Sequence, residues 1–295
     1  TIKPDEIYLL LKGALKNAGL ERKSTKVIHR HLTIMQKIGI LEAIEEKFIL
    51  TSDGKVLFEL IKEKQPDRLI IEEKIFYIKA FFTSTIQQQL IILLKIIKEN
   101  KEKENIISNY FKNPHIQELW NKDTIAKNLR EYKSGKFSSF FNKYECMLGW
   151  LKQLDLVTRV NPQTVELTSM GRAFLSLFDE VKMAVDRWAV DGRIYYISKY
   201  LFLNDRAFTM IAPFKHDRDL QFVINLFKKA YILFRIDDSS DIQAIKTYIG
   251  ILSLKNSIIL DENEFYYVIQ QLNKMGIVKS MYKGTNGKPA IIKQF

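Results

Sequence analysis

The chain has 295 residues, 46% of them hydrophobic and 12% aromatic, which supplies packed cores for two or three small domains and excludes a disordered chain. Its formal net charge of +12 favours a polyanionic partner, nucleic acid first among them, with a lysine-rich background composition as the plain alternative. One cysteine and four histidines exclude an internal disulfide and a zinc knuckle, and Cys146, inside an apolar helical run, reads as a small core residue.

In chain order, residues 5–17 read as a helix, with Leu9, Leu10 and Leu11 on one side. Ser24 or Thr25 caps a second helix through KVIHRHLTIMQKI that stops at Gly39. ILEAI, a turn and FILTS then form a hairpin, and DGKVLFELIKE returns to helix. Helix, helix, hairpin, helix is the outline of a winged helix, whose second helix enters the major groove. Charged residues with Pro66 mark a boundary, and an apolar helical stretch continues to Lys98. Lys79 and Gln87 to Gln89 interrupt it, so no membrane span is expected. KENKEKEN reads as a solvated connection. With no signal peptide visible, the chain reads as a soluble cytoplasmic protein.

One supersecondary pattern recurs. MQKIGILEAIEEKFILTSDGK at 35–55 and LKQLDLVTRVNPQTVELTSMGR at 151–172 both run from a helix end through a hairpin to Leu-Thr-Ser-x-Gly-basic. LNKMGIVKSMY at 272–282 begins a third copy without that ending. The expected fold is mainly α with small β-hairpins: three winged-helix-like subdomains joined by helical connectors. Residues 1–65 form the first unit, 66–107 a connector, 108–180 the second unit, 181–240 a connector, and 241–295 the third unit.

The copies differ in charge. In the first, Val27, Ile28, Leu32, Met35 and Ile38 form the expected buried stripe, while Lys26, Arg30, Thr33 and Lys37 share the opposite face. Five basic residues and no carboxylate lie between Arg22 and Lys37, a pattern suited to phosphate and base-edge contact. His29 is a further candidate contact, or an ordinary surface histidine. In the second, Phe137, Phe140, Phe141, Tyr144, Leu148 and Leu151 form the core face, and Lys136, Ser139 and Lys143 face away, preceded by Lys133. The third opens on Asp261, Glu262 and Glu264, which suit a helix N-terminus and repel phosphate. It therefore reads as a protein-contact or backbone-contact unit.

Catalytic motifs are missing. The string PDRLIIEEK loosely matches a metal-dependent nuclease signature, but Asp67, Glu72 and Glu73 lie too close in sequence for the strand hairpin such a site needs. No catalytic residue, metal or cofactor is expected.

The segments KYECMLGWLKQLDLVTR, VELTSMGRAFL and EEKFILTSDGKVLFELIKEKQ resemble the DNA-recognition part of FokI-like type IIS restriction endonucleases and related nicking enzymes. The resemblance implies successive winged-helix subdomains, the last turned toward protein contacts. It also implies double-stranded DNA as partner and a nuclease domain or subunit lying elsewhere. A winged-helix scaffold and a dimeric transcription regulator remain as alternatives. Arg30 is the best candidate for a base contact, because guanidinium bonds guanine bidentately. Arg30→Ala is expected to cost about 1–3 kcal/mol on a specific site and little on random DNA. Equal losses in a titration of both duplexes would make Arg30 a backbone contact.

Overall fold

The computed structural model describes residues 32–44, 47–61, 69–82, 84, 86–119, 139–184, 216–236, 239–256, 258, 260, 262–281 and 291–294. The fold is mostly helical with short antiparallel hairpins, as the hydrophobic patterning indicated. After a helical segment at 32–37 come strands β1 (Leu41–Ile44) and β2 (Lys47–Leu50), then helices α1 (Ser52–Ile61) and α2 (Ile71–Phe82). Helices α3 (Gln87–Glu99), α4 (Lys103–Lys112), α5 (Pro114–Leu119) and α6 (Ser139–Gln153) lead to β3 (Val157–Asn161), β4 (Thr164–Leu167) and α7 (Ser169–Ala184). The remainder is α8 (His216–Leu233), β5 (Arg235–Ile236), β6 (Ser239–Asp241), α9 (Ile242–Lys255), α10 (Glu262–Lys274), β7 (Val278–Met281) and β8 (Ile291–Gln294). Two compact units result, one of residues 1–85 with 188–295 and one of residues 86–187.

The recurring pattern has one physical basis. Helix 32–37 ends in a Schellman turn: Ile40 N–H donates to Met35 O at 2.8 Å, Gly39 N–H donates to Gln36 O at 3.0 Å, and Gly39 has φ +74°. The same pair of bonds joins Leu156 to Leu151 and Asp155 to Lys152, with Asp155 at φ 57°. It recurs from Ile277 to Leu272 and from Gly276 to Asn273, with Gly276 at φ 66°. A Cβ built on Gly39 or Gly276 meets nothing within 4 Å, so an aspartate fits the equivalent place in the second copy at the cost of its left-handed backbone alone.

The Leu-Thr-Ser-x-Gly ending closes the first two copies by a common device. Thr51 donates its hydroxyl to Gly39 O, and Thr168 donates to Asp155 O. Each hydroxyl oxygen also accepts the N–H of the residue three positions on, Gly54 at 3.0 Å and Gly171 at 2.9 Å, and so caps α1 and α7. A Cβ on Gly54 would lie 2.2 Å from Ile40 O, and one on Gly171 would lie 1.9 Å from Leu156 O. Only glycine lets the new helix pass that close to the first residue after the turn. The motif is therefore a clasp that fixes helix, hairpin and following helix together.

In the 86–187 unit, Leu90, Leu93, Leu94 and Ile97 of α3 and Ile106, Ile107, Tyr110 and Phe111 of α4 are buried, as are Tyr144, Leu148 and Leu151 of α6. Tyr110 packs edge-on to Phe111 at 5.1 Å and against Tyr144 at 6.2 Å, and burial pushes its phenol up from the ordinary tyrosine range. The segment expected as a solvated connection is part of the fold. Val165 N–H donates to Lys101 O at 2.9 Å and Lys103 N–H donates to Gln163 O at 2.8 Å, so residues 101–103 line the free edge of β4. Lys101 and Glu102 are exposed at this edge, while the Lys103 side chain is largely enclosed.

The 1–85 and 188–295 unit holds the first and third copies. Its sheet has the order β5-β6-β8-β7, and Asp241 at the end of β6 caps α9 by accepting the N–H of Gln243 at 2.9 Å. Helices α1 and α2 pack on α9 around a polar cluster, in which Lys79, 6% exposed, pairs with Asp53 at 3.1 Å and donates to Thr247 at 2.8 Å. The apolar stretch expected to run to Lys98 breaks after Phe82, where Ser84 donates its hydroxyl to Phe81 O at 2.8 Å. Among the described residues no single helix is long and apolar enough to cross a membrane.

Gly54→Ala and Gly171→Ala are each expected to cost about 3 kcal/mol, near the upper end for overpacking, because the obstructing atom is backbone. Gly39→Ala, which meets open space, is expected to cost about 1 kcal/mol from left-handed backbone strain alone. Urea unfolding of the three variants checks the order, and equal losses at Gly39 and Gly54 would contradict the clasp.

Candidate nucleic-acid interface

In the first copy the helix at 32–37 turns Leu32 inward, while Thr33 and Lys37 are exposed on the side expected from their spacing. Lys26, His29 and Arg30 lie outside the described residues. Met35, expected in the buried stripe, is instead 37% exposed. The Schellman turn follows directly, and Ile38 and Ile40 within it are buried. Lys47 is exposed on the adjoining hairpin.

In the second copy Ser139 begins α6 and Lys143 lies in its second turn, their side chains falling outside the described set together with Lys133 and Lys136. Farther along, Tyr144, Met147, Leu148 and Leu151 face the core. Cys146, expected in the core, is exposed, because its position falls between the two inward turns at Tyr144 and Leu148. Gly149 and Lys152 share the outward side.

Between this half of α6 and the hairpin runs a groove of about 170 Å³, lined by Glu145, Leu148, Gly149, Lys152, Val157 and Arg159 among others. Glu145 organises its charge. Oε2 accepts from Arg159 Nη2 at 3.0 Å, and Oε1 lies 2.5 Å from Lys103 Nζ, close as an ion pair but off the angle of a good hydrogen bond. Lys103 is 14% exposed at its side chain and Arg159 is 42% exposed, so one cation is nearly enclosed and the other faces solvent. Sequence reasoning missed this group. Arg159 was legible as a basic residue on a hairpin strand, but the partnership of Glu145 with Lys103 joins residues 42 positions apart and has no local signal.

The third copy is different in character. Helix α10 buries Phe265, Val268, Ile269 and Leu272 and exposes Gln270 and Lys274, with Tyr267 and Gln271 half-buried. Asp261 lies outside the described residues. Lys279 on β7 is exposed.

The acidic string near residue 72 has structural duties. Glu73 accepts the N–H of Ile70 at 2.9 Å and caps α2, and Glu72 pairs with Lys255 of α9. Burial first, and the Glu73 carboxylate second, push the Tyr77 phenol up from its ordinary range. Among the described residues no group of three or more His, Cys, Asp or Glu side chains is placed to hold a metal ion. No protein-family model, curated protein or solved structure matches the chain.

Proposed function

We propose that the chain binds double-stranded DNA through tandem winged-helix units. The observation that carries this reading is a topology used twice. From α8 onward the order is helix, the short strand β5 and its partner β6, helix α9, helix α10, then strands β7 and β8, with β6 paired to β8. From α3 onward the described residues give helix, the edge segment at 101–103, helix α4, the short added helix α5, then helix α6 and strands β3 and β4, with the edge segment paired to β4. A first strand returning to the last, with a helix just before the hairpin, is the order of a winged helix, and that helix is the one positioned for a major groove. The first copy contributes the same helix, hairpin and clasp.

Charge supports division of labour. The helix of the first copy presents Thr33 and Lys37 with Lys26 and Arg30 in the preceding sequence, whereas α10 opens on carboxylates. Site-specific readout then belongs to the first two copies, with Arg30 as base contact and lysines as phosphate contacts. The role of recognition part or specificity subunit in a restriction-type system extends the same proposal. Because Thr51, Gly54, Thr168 and Gly171 all have structural duties, the shared motif argues for a shared fold more than for that activity.

A second reading, a scaffold for protein partners, draws on the exposed Ile44, Leu50, Phe58 and Ile61 around the first hairpin and α1. A salt series separates the two. Affinity for mixed-sequence duplex is expected to fall steeply with salt, with a log–log slope of about −0.9 per phosphate neutralised. Absence of binding at low salt would remove the DNA reading and leave the scaffold.

A further inference from the structure

We infer that the groove between α6 and β3 is a seat for one or two backbone phosphates, gripped by Arg159 and Lys152 and held in shape by the Lys103–Glu145 pair. This rests on the DNA-binding reading and moves part of the second copy's contact from the start of α6 to its far half and the hairpin. A carboxylate in the groove argues against an anion at first sight. However, Lys103 is nearly enclosed and lies 2.5 Å from Glu145, so the negative charge is balanced from within the fold. Arg159 is then an additional cation, fixed by Glu145 Oε2 at 3.0 Å yet 42% exposed. Lys152 is exposed on the same groove and makes no ion pair among the described residues. Two cations therefore pair with one carboxylate, and Lys152 adds a third positive charge to the groove lining, so Arg159 and Lys152 carry the excess toward solvent.

The geometry of the groove suits a phosphodiester better than a compact organic ligand. Gly149 lies on the outward side of α6, and a Cβ built there meets nothing within 4 Å, so the wall is open to a large rigid partner. The neighbouring hairpin residues Thr158 and Asn161 are exposed and polar, and the pairing of β3 with β4 is irregular between Arg159 and Asn161. Such irregularities bend a strand and re-aim its side chains. A guanidinium anchored on one side by a carboxylate keeps its remaining N–H donors in a fixed fork, which lowers the entropy lost on meeting a phosphate. Glu145 is a positioning residue in this account, and Arg159 and Lys152 are the contacts.

The test is the salt dependence of duplex binding by the full chain carrying Lys152→Ala, Arg159→Ala or Arg159→Lys. Each alanine variant is expected to make the log–log slope shallower by about one, and Arg159→Lys to keep the wild-type slope. If the wild type binds duplex and both alanine variants keep its slope, the seat is refuted while the DNA reading stands. If the wild type binds no duplex at any salt, both fall together. Should Arg159→Ala unfold, Lys152→Ala decides alone, since that exposed side chain has no ion pair to lose among the described residues. An unchanged slope for Lys152→Ala would then overturn the two-cation grip.

Discussion

A single threonine hydroxyl holds each of the first two copies together. It donates to the carbonyl of the left-handed residue that ends one helix and accepts the N–H that opens the next. The hairpin is thereby returned to its own starting point, and its exposed strand is fixed relative to the helix before it. One glycine three residues later permits the approach, because any Cβ would strike the carbonyl of Ile40 or Leu156. In the proposed DNA-binding role, where a helix and a hairpin meet one duplex, that relative orientation is the functional quantity.

The two units solve the same problem with different materials. In residues 86–187 the helix before the hairpin is packed through the tilted ring contact of Tyr110 with Tyr144, and its hairpin is buttressed by an edge segment of charged residues. In the other unit, α1 and α2 pack on α9 around Lys79, Asp53 and Thr247. A buried lysine adds little net stability beside an apolar side chain of similar size, but it tolerates only the packing that keeps its carboxylate in reach. That selectivity suits a unit assembled from two distant stretches of chain.

Much of this was legible in the sequence. The helix-turn-strand pattern at three places marked three equivalent turns, and helical spacing placed Leu32, Ile38, Tyr144, Leu148 and Leu151 in the core. What periodicity could not supply was anything set by contact between distant residues. The edge segment at 101–103 consists of Lys, Glu and Lys, and only the bridge of Glu102 to Thr164 and its flanking backbone hydrogen bonds join it to the hairpin. Cys146 lies in an apolar neighbourhood in sequence yet faces outward, because the inward positions of that stretch of α6 are taken by Tyr144, Met147 and Leu148. The need for glycine at 54 and 171 was visible as a repeat, while its reason is a carbonyl on another element. Of the candidate contacts, Thr33 and Lys37 stand on the expected exposed face; Lys26, His29, Arg30, Lys133 and Lys136 lie outside the described residues, as do the side chains of Ser139 and Lys143.

The central claim is that copies with one fold have separate roles, the first two meeting DNA and the third turned elsewhere. Hydrogen exchange of the full chain, with and without saturating duplex, tests it most directly. The account predicts slowed exchange on adding DNA at residues 22–44 and 133–161, with α10 at Glu262–Lys274 unchanged. Protection concentrated on α10, or none in either of the first two copies while duplex is bound, would contradict it.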